Sequence, residues 1–450
     1  MGKIILFIVI LSTALRTIST PFLGSMAYYC LAILGPQYIW WWNFEGLRVT
    51  LIVALSTMIA FGYYLISGMI NFALLYTKLN AAVVVLWSAL VLSYFFGSYT
   101  DLTMASRNGL PWILLNSANK IFLFYLISTV LIDDLKKAKV FSGIIIVSTI
   151  YLIYWANYQY FTQNWYAFNH GRLMGPHSIT GASIYADENT FAMFFVSGIP
   201  FLFYFGLYQL KGIKRYLLWL LVPMGWHAIF LTGSRGGLVG LSVTLFMGVM
   251  FSNKKKLAFL IIPLFFVAYQ WQAGALLQNR SSTIANYERD SSAEDRLEAW
   301  AAAFNMMNAN PLTGVGIGSF IQAMYDYSDK QPRATHSTPL QFGAEAGYFA
   351  LLSYCYIIIY FFYRSYKIRS FLKIFKHKIS DEDWQVLMYL NEANIISFSG
   401  LIVCSLFLSL NYYEIFFYLL ILFGFLNYFM KSKLNEFNGG FNTLYCEDRV

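Results

Sequence analysis

Three side chains suited to phosphate binding and proton transfer lie at the ends of long apolar segments. Arg235 occurs in LTGSRGGLVG, Arg172 in HGRLMGP and His336 in ATHSTPLQF. A guanidinium presents five donors in a fixed fork that suits phosphate oxygens, and the glycines after Arg235 allow a ligand or a backbone to come close. An imidazole is the side chain best matched to general-base catalysis near neutral pH. These residues predict a site in which two arginines hold a diphosphate and a histidine removes a proton.

Each of these residues also has a simpler interpretation. Arg235 could be a snorkelling arginine that anchors its helix at the membrane surface. Arg172 could pair with Asp187 or Glu188, and His336 could be a surface histidine without a role. Asp187 and Glu188 open an apolar segment, where acidic residues complement a helix N-terminus; the alternative is that they act as a base or orient an acceptor.

Four residues are further candidates for contact with substrate: Glu188, Arg280, Arg296 and Glu345. Arg280 and Arg296 lie in a polar segment whose many acidic residues also favour local ion pairs on a solvated surface. Glu345 follows His336 at the start of the next apolar segment and could orient the imidazole. The role of each of these four residues stays open at this stage.

Composition places these residues in a membrane protein. Of the 450 residues, 58% are hydrophobic and 12% are charged, with a mean hydropathy of +0.55. Such a chain is typical of an all-α, polytopic membrane bundle. The formal charge of +9 does not indicate nucleic-acid binding, because the basic residues cluster between apolar segments and set their orientation. Four cysteines without a CxxC pair predict neither a metal site nor a disulfide framework, and no cofactor is expected.

Thirteen apolar segments are candidates for membrane spans. The first two are short and separated by Arg16 and Pro21, so they form either a tight hairpin or one span with a re-entrant piece, and the predicted count is 12–13 transmembrane helices. We predict N-terminal transmembrane helices over 1–272, a loop with an amphipathic helix over 273–344, and C-terminal transmembrane helices with a cytoplasmic tail over 345–450. The segments are 4–19, 22–42, 47–68, 80–99, 117–134, 138–157, 188–209, 215–232, 236–252, 256–272, 345–363, 388–409 and 412–430.

The long polar segment over 273–341 must stand in water beside the membrane. Ser292 and Asp295 form a capping-box pattern, and Pro311 ends the helical run that follows. The spacing predicts an amphipathic helix on a membrane face, and GVGIGSF then forms a turn. This turn follows a helix and no strand, which excludes a nucleotide-binding loop. The apolar positions of the predicted helix are Leu297, Trp300, Ala301, Phe304 and Met307.

Five basic clusters set the orientation of the bundle. By the positive-inside rule they lie in the cytoplasm, which places 158–187, 232–236, 273–341 and the turn near Asn411 on the outer face. Every conspicuous polar feature is therefore expected on one side. The clusters fall at 136–139, 211–215, 254–256, 364–378 and 431–433.

The order of three motifs resembles a known family. TGSRGG, then SSAEDRLEAWAAAF with NPLTGVGIGSF, then HSTPLQFGAEAGYFALLSY resemble the O-antigen ligase and polymerase superfamily of membrane glycosyltransferases. More narrowly, TPFLGSMAYYCLAILGPQYIWWWNFEGLR, RLMGP with YADENTFAM, and RSSTIANYERDSSAEDRLEAW are similar to the exosortase-associated O-glycosylation ligases. The resemblance extends over most of the chain.

The resemblance implies an inverting, metal-independent glycosyl transfer on the outer (periplasmic) face of the bacterial inner membrane. The implied donor is a glycan on a polyprenyl carrier such as undecaprenyl diphosphate, and the implied acceptor is a hydroxyl on lipid A core (lipopolysaccharide), another glycan or a protein. Arg235 and Arg172 would bind the diphosphate and His336 would activate the acceptor, whereas GAEAG departs from many relatives and leaves Glu345 open. The alternative is a transporter or flippase of lipid-linked glycans, which the nearly uncharged spans and the lack of a repeat disfavour.

Overall fold

The computed structural model describes residues 2–177, 183–251, 255–272 and 291–437. These residues form an α-helical bundle with a single two-stranded hairpin in the described part, β1 (Phe168–Asn169) and β2 (Arg172–Leu173). This confirms the prediction of an all-α, polytopic membrane protein. The helices are α1 (Gly2–Ser19), α2 (Pro21–Ile33), α3 (Pro36–Ile39), α4 (Trp41–Phe44), α5 (Val49–Ile66), α6 (Lys78–Phe96), α7 (Thr100–Ser106), α8 (Leu110–Leu131), α9 (Leu135–Phe161), α10 (Glu188–Gln209), α11 (Gly212–Trp219), α12 (Leu221–Thr232), α13 (Arg235–Phe251), α14 (Lys255–Gln272), α15 (Ser291–Ala309), α16 (Phe320–Tyr327), α17 (Thr338–Ile374), α18 (Asp381–Ser405) and α19 (Glu414–Phe437).

Nine helices within the described residues are long and apolar enough to cross a membrane. They are α1, α5, α6, α8, α9, α10, α17, α18 and α19. The other four predicted spans form helices that are shorter or less apolar than a full span, or are interrupted. They are 22–42, 215–232, 236–252 and 256–272. The predicted span 22–42 ends early because Gly35 takes a left-handed conformation before Pro36, and 215–232 is divided between α11 and α12. The predicted count of 12–13 therefore includes helices that do not meet the length and hydropathy of a full span.

Helices α10 and α18 form the centre of the bundle. Their most apolar windows are 83% and 89% buried, against 17% for α1 at the periphery. Small residues let neighbouring helices approach α18 closely. A Cβ added at Gly240 of α13 would lie 2.3 Å from Cys404 Sγ, and one added at Gly400 would lie 2.4 Å from Thr244 Cγ2. The glycines therefore fix the distance between α13 and the central helix.

The amphipathic helix predicted in the long loop is α15. Leu297 and Phe304, two of its predicted apolar positions, are 55% and 51% exposed, as a helix face that lies on a membrane would be. The opposite, alanine-rich side of α15 packs against α16 and α17, because small side chains allow closer helix approach than the larger apolar ones. The buried positions are Ala299, Ala302, Ala303, Met306 and Met307.

Helix α17 starts at Thr338, seven residues before the predicted boundary at 345, and is interrupted at Gly347 (φ 77°). The interruption lets the segment that follows α15 approach α17, since the Tyr348 amide donates to the Pro311 carbonyl at 2.9 Å. A Cβ added at Gly347 would lie 2.6 Å from the Leu312 carbonyl carbon, so this position requires glycine.

Segments predicted on the outer face contact one another. Arg172 Nε donates to the Thr232 carbonyl at 3.1 Å, and the Thr335 and Ser409 hydroxyls are 3.0 Å apart. At the opposite ends of the helices, Glu392 forms an ion pair with Arg369 at 3.3 Å. The four polar segments that the basic clusters assign to one side therefore meet at one end of the bundle.

Candidate active site

The first turn of α10 carries the acidic pair that the sequence singled out. Asp187 is the N-cap: its Oδ1 accepts from the Thr190 amide at 2.8 Å and from the Thr190 hydroxyl at 3.0 Å. This confirms the capping interpretation for Asp187. Glu188, the first helical residue, turns toward the β1–β2 hairpin and forms an ion pair with Arg172.

Arg172 links three of the outer segments. Its Nε donates to the Thr232 carbonyl at 3.1 Å and its Nη2 donates to Asn189 Oδ1 at 3.1 Å, while Nη1 faces Glu188. The side chains of Arg172 and Glu188 are each 15% exposed, so solvent screens their attraction less than at an open surface. Two predicted site residues are thus in direct contact, and the guanidinium is held in a fixed orientation.

The TGSRGG motif forms the turn between α12 and α13. Gly233 ends α12 in a left-handed conformation (φ 60°), and Ser234 Oγ accepts from the Gly237 amide at 3.1 Å, which caps α13. The same hydroxyl donates to Asn189 Oδ1 at 2.9 Å. Arg235 is the first residue of α13 and is half-buried. Through Ser234 and Asn189, the Arg235 turn is joined to the Arg172 contacts.

The backbone around His336 is held in place from both sides. The Trp300 indole donates to the Thr335 carbonyl at 2.9 Å, and the Thr338 hydroxyl donates to the Leu408 carbonyl at 2.6 Å. His336 itself has a φ of 47°. This left-handed conformation costs about 1–2 kcal/mol for most residues other than glycine, and such residues cluster at functional sites. The surrounding contacts thus present a half-buried imidazole in a conformation that an unconstrained loop would rarely adopt.

Three charged or titratable groups from separate segments interact at this position. Burial lowers the pKa of the His336 imidazole below its ordinary value of 6.5, and the positive charge of Arg296 lowers this pKa further. The negative charge of Asp187 acts in the opposite direction. The imidazole is therefore neutral near pH 7 and able to accept a proton. The structure brings together His336 from the end of the long loop, Arg296 from α15 and Asp187 from the start of α10.

Glu345 has a different partner from the one expected. Its side chain is 1% exposed, and its Oε1 accepts from Gln341 Nε2 at 3.1 Å. Its backbone carbonyl accepts from the Ser93 hydroxyl at 2.5 Å and from the Gly316 amide at 3.1 Å. Glu345 thereby ties the GVGIGSF turn and α6 to α17, whereas the negative charge that raises the pKa of His336 is that of Asp187.

Among the other candidates, Arg280 lies outside the described residues. In the described part of the long loop, Arg333 forms an ion pair with Asp295, a pairing that was not predicted from the sequence. Asn189 was not singled out from the sequence, although its Oδ1 accepts from both Arg172 and Ser234. The sequence signal for Asn189 was its position directly after Asp187 and Glu188, in the first turn of a helix that starts at the predicted outer face.

The fold and this cluster define a polytopic membrane protein with a polar, positively charged site at one face of its bundle. Residues 217–355 match the family model described as O-antigen ligase. The match supports the resemblance to the O-antigen ligase superfamily over this region. The matched region contains Arg235, Arg296 and His336, and Arg172 reaches it through the Thr232 carbonyl. No curated protein matches the chain.

Proposed function

We propose that this chain is a membrane glycosyltransferase of the O-antigen ligase or polysaccharide polymerase type. It transfers a glycan from a polyprenyl-diphosphate-linked donor to a hydroxyl group of an acceptor. The observation that carries the proposal is the half-buried His336, whose imidazole is subject to the opposing charges of Arg296 and Asp187 within a region that matches O-antigen ligase.

In the proposed reaction His336 acts as the general base. Its neutral imidazole takes the proton from the acceptor hydroxyl, and the oxygen attacks the anomeric carbon on the face opposite the diphosphate. The bond between this carbon and the diphosphate oxygen breaks, so the configuration inverts and polyprenyl diphosphate leaves. General-base catalysis requires the unprotonated form of the base, which is available when the pKa of the base lies near or below the working pH.

Arg235 and Arg172 are proposed to bind the diphosphate. Negative charge develops on the leaving oxygen in the transition state, and fixed guanidinium donors stabilise it without reorganisation and without a bound metal ion. The orientation of Arg172 by Glu188 and Asn189 supports this role, because preoriented donors contribute more than mobile ones. Arg296 is proposed to contact the substrate beside His336.

The site is proposed to face the periplasm from the bacterial inner membrane, because the basic clusters lie at the other ends of the helices. The donor carrier is then undecaprenyl diphosphate. The acceptor hydroxyl belongs to lipid A core, to a growing glycan or to a protein, and these acceptors share the same donor chemistry.

The test is product formation by purified protein in detergent, supplied with a lipid-linked glycan and each class of acceptor separately. Attachment of the glycan to an acceptor supports the proposal, and longer chains on the lipid identify a polymerase. If the protein in liposomes moves the lipid-linked glycan across the bilayer and forms no new bond, the proposal is wrong and the protein is a transporter.

The electrostatics around His336 predict opposite shifts in the pH profile. Asp187→Asn keeps a capping side chain for α10 but removes the charge that raises the His336 pKa, so the acid limb of the transfer rate is expected at lower pH. Arg296→Gln removes a charge that lowers this pKa, so the acid limb is expected at higher pH. The measurement is the initial transfer rate against pH; shifts in the same direction for both variants would contradict this assignment.

A further inference from the structure

We propose that a cavity of about 530 Å³ between the 34–48 segment, α5 and α8 binds the phosphate group of an anionic membrane lipid. Arg48 and Lys120 line this cavity together with Gln37 and Trp41. None of the proposed catalytic residues lines it. The cavity is therefore a separate site, and its proposal goes beyond the transfer reaction.

Two walls of the cavity lie on the side of the candidate active site. The 34–48 segment follows Ile33, whose carbonyl accepts from the Tyr185 hydroxyl, two residues before Asp187. Helix α8 begins on the same side, since a Cβ added at Gly318 of the long loop would lie 2.7 Å from Leu114 Cδ1 in the second turn of α8. The 34–48 segment and the start of α8 thus lie on the side of the bundle that carries the candidate active site.

Lys120 lies about halfway along α8, roughly 15 Å from its first residue at 1.5 Å per residue. An ammonium group at this depth is costly in hydrocarbon, and intramembrane cations usually mark binding sites or polar pathways. The Lys120 side chain is exposed and lines the cavity. Within the described part of the chain, neither Lys120 nor Arg48 forms an ion pair. A lipid phosphate in the cavity would supply the missing counter-charge.

The other residues that line the cavity can contact the headgroup hydroxyls and the apolar chain of a lipid. Gln37 Nε2 donates to the Leu31 carbonyl at 3.0 Å, while its Oε1 is buried and finds no donor among the described residues. That oxygen can accept a headgroup hydroxyl. Leu51 and Phe124 offer apolar surface to an acyl or prenyl chain. Glu45 also lines the cavity, but Lys3 lies 3.8 Å from its carboxylate and offsets its charge.

The test is lipid retention by the full-length protein in detergent, measured by native mass spectrometry during titration with phosphatidylglycerol, a polyprenyl phosphate or phosphatidylcholine. The double variant Arg48→Gln, Lys120→Met is compared with wild type. We expect affinity for the anionic lipids to fall about 20- to 30-fold, because each basic residue near a membrane surface contributes roughly a factor of five. Phosphatidylcholine is expected to bind more weakly to wild type.

The matched control is Lys78→Met, Arg107→Gln, which removes two exposed basic residues that do not line the cavity. It should retain wild-type affinity. A preference for polyprenyl phosphate would identify the lipid carrier as the occupant, and equal binding of both anionic lipids would identify bulk phospholipid. Equal retention of anionic lipid by wild type and the cavity variant, or equal binding of phosphatidylcholine, overturns the proposal. His336→Asn should lose transfer activity but bind these lipids with wild-type affinity. Failure of the lipid-binding proposal can therefore be told apart from failure of the transferase proposal.

Discussion

Replacing His336 by asparagine is expected to lower the transfer rate by about 10²–10⁴-fold, the usual contribution of a general base. Asparagine tolerates the left-handed backbone conformation that His336 adopts, so the loop should keep its shape. Its amide cannot accept a proton from the acceptor hydroxyl. The measurement is the initial rate of glycan transfer at saturating lipid-linked donor, with thermal unfolding to show that the variant is folded.

His177→Asn is the matched control for this variant. His177 also lies in an outer segment, but it is exposed and its Nδ1 lies 2.9 Å from the Gly175 carbonyl. This substitution should leave the transfer rate near the wild-type value. If His336→Asn keeps more than about a tenth of the wild-type rate, or if both variants lose activity equally, His336 is not the base.

The helical bundle was predictable because its signals are local. Hydropathy and length identify spans one segment at a time, and the basic clusters order them relative to the membrane. These two signals also grouped Arg172, Arg235 and His336 on one face before any contact was known. The Gly-Pro step at Gly35 was a local signal too, and it explains why the predicted span 22–42 is too long.

The partners of individual side chains were not predictable, because they depend on contacts between distant segments. Asn189 accepts from Arg172 and Ser234, which lie 17 residues before it and 45 after it. Glu345 is near His336 in sequence, yet its carboxylate contacts Gln341, whereas Asp187 acts on the imidazole from a different helix. The burial of the alanine-rich side of α15 was not predictable for a similar reason, since it depends on contacts with α16 and α17.

The two outer arginines differ in how directly they can test the reaction. Arg172 contacts Glu188, Asn189 and the Thr232 carbonyl, so its removal would also leave Glu188 half-buried without its partner. Loss of activity in an Arg172 variant would therefore have two explanations. At Arg235 the cap of α13 is kept when the arginine side chain is removed, because Ser234 provides it. Arg235 is the better position for a test of diphosphate binding.

Arg235→Ala is expected to lower kcat by about 10²–10³-fold, the effect of removing one fixed donor that stabilises developing negative charge. Arg235→Lys should recover part of this loss, since lysine keeps the charge but cannot bind two phosphate oxygens with a planar fork. The measurements are kcat and KM for the lipid-linked donor. A graded loss, with alanine below lysine and lysine below arginine, is the pattern that phosphate recognition predicts.

Arg107→Ala is the control for these variants. Arg107 is exposed and directly follows α7. This helix lies at the outer face, because its N-cap Tyr99 contacts Asp326 of the long loop. The control removes the same charge from the outer face without touching the TGSRGG turn, and transfer should stay near the wild-type rate. If Arg107→Ala and Arg235→Ala lower the rate equally, a diffuse positive field accounts for the effect. If Arg235→Lys is as inactive as Arg235→Ala while both unfold at lower temperature, the arginine supports the fold of the turn. A specific loss in folded Arg235 variants leaves contact with the leaving diphosphate as the physical explanation.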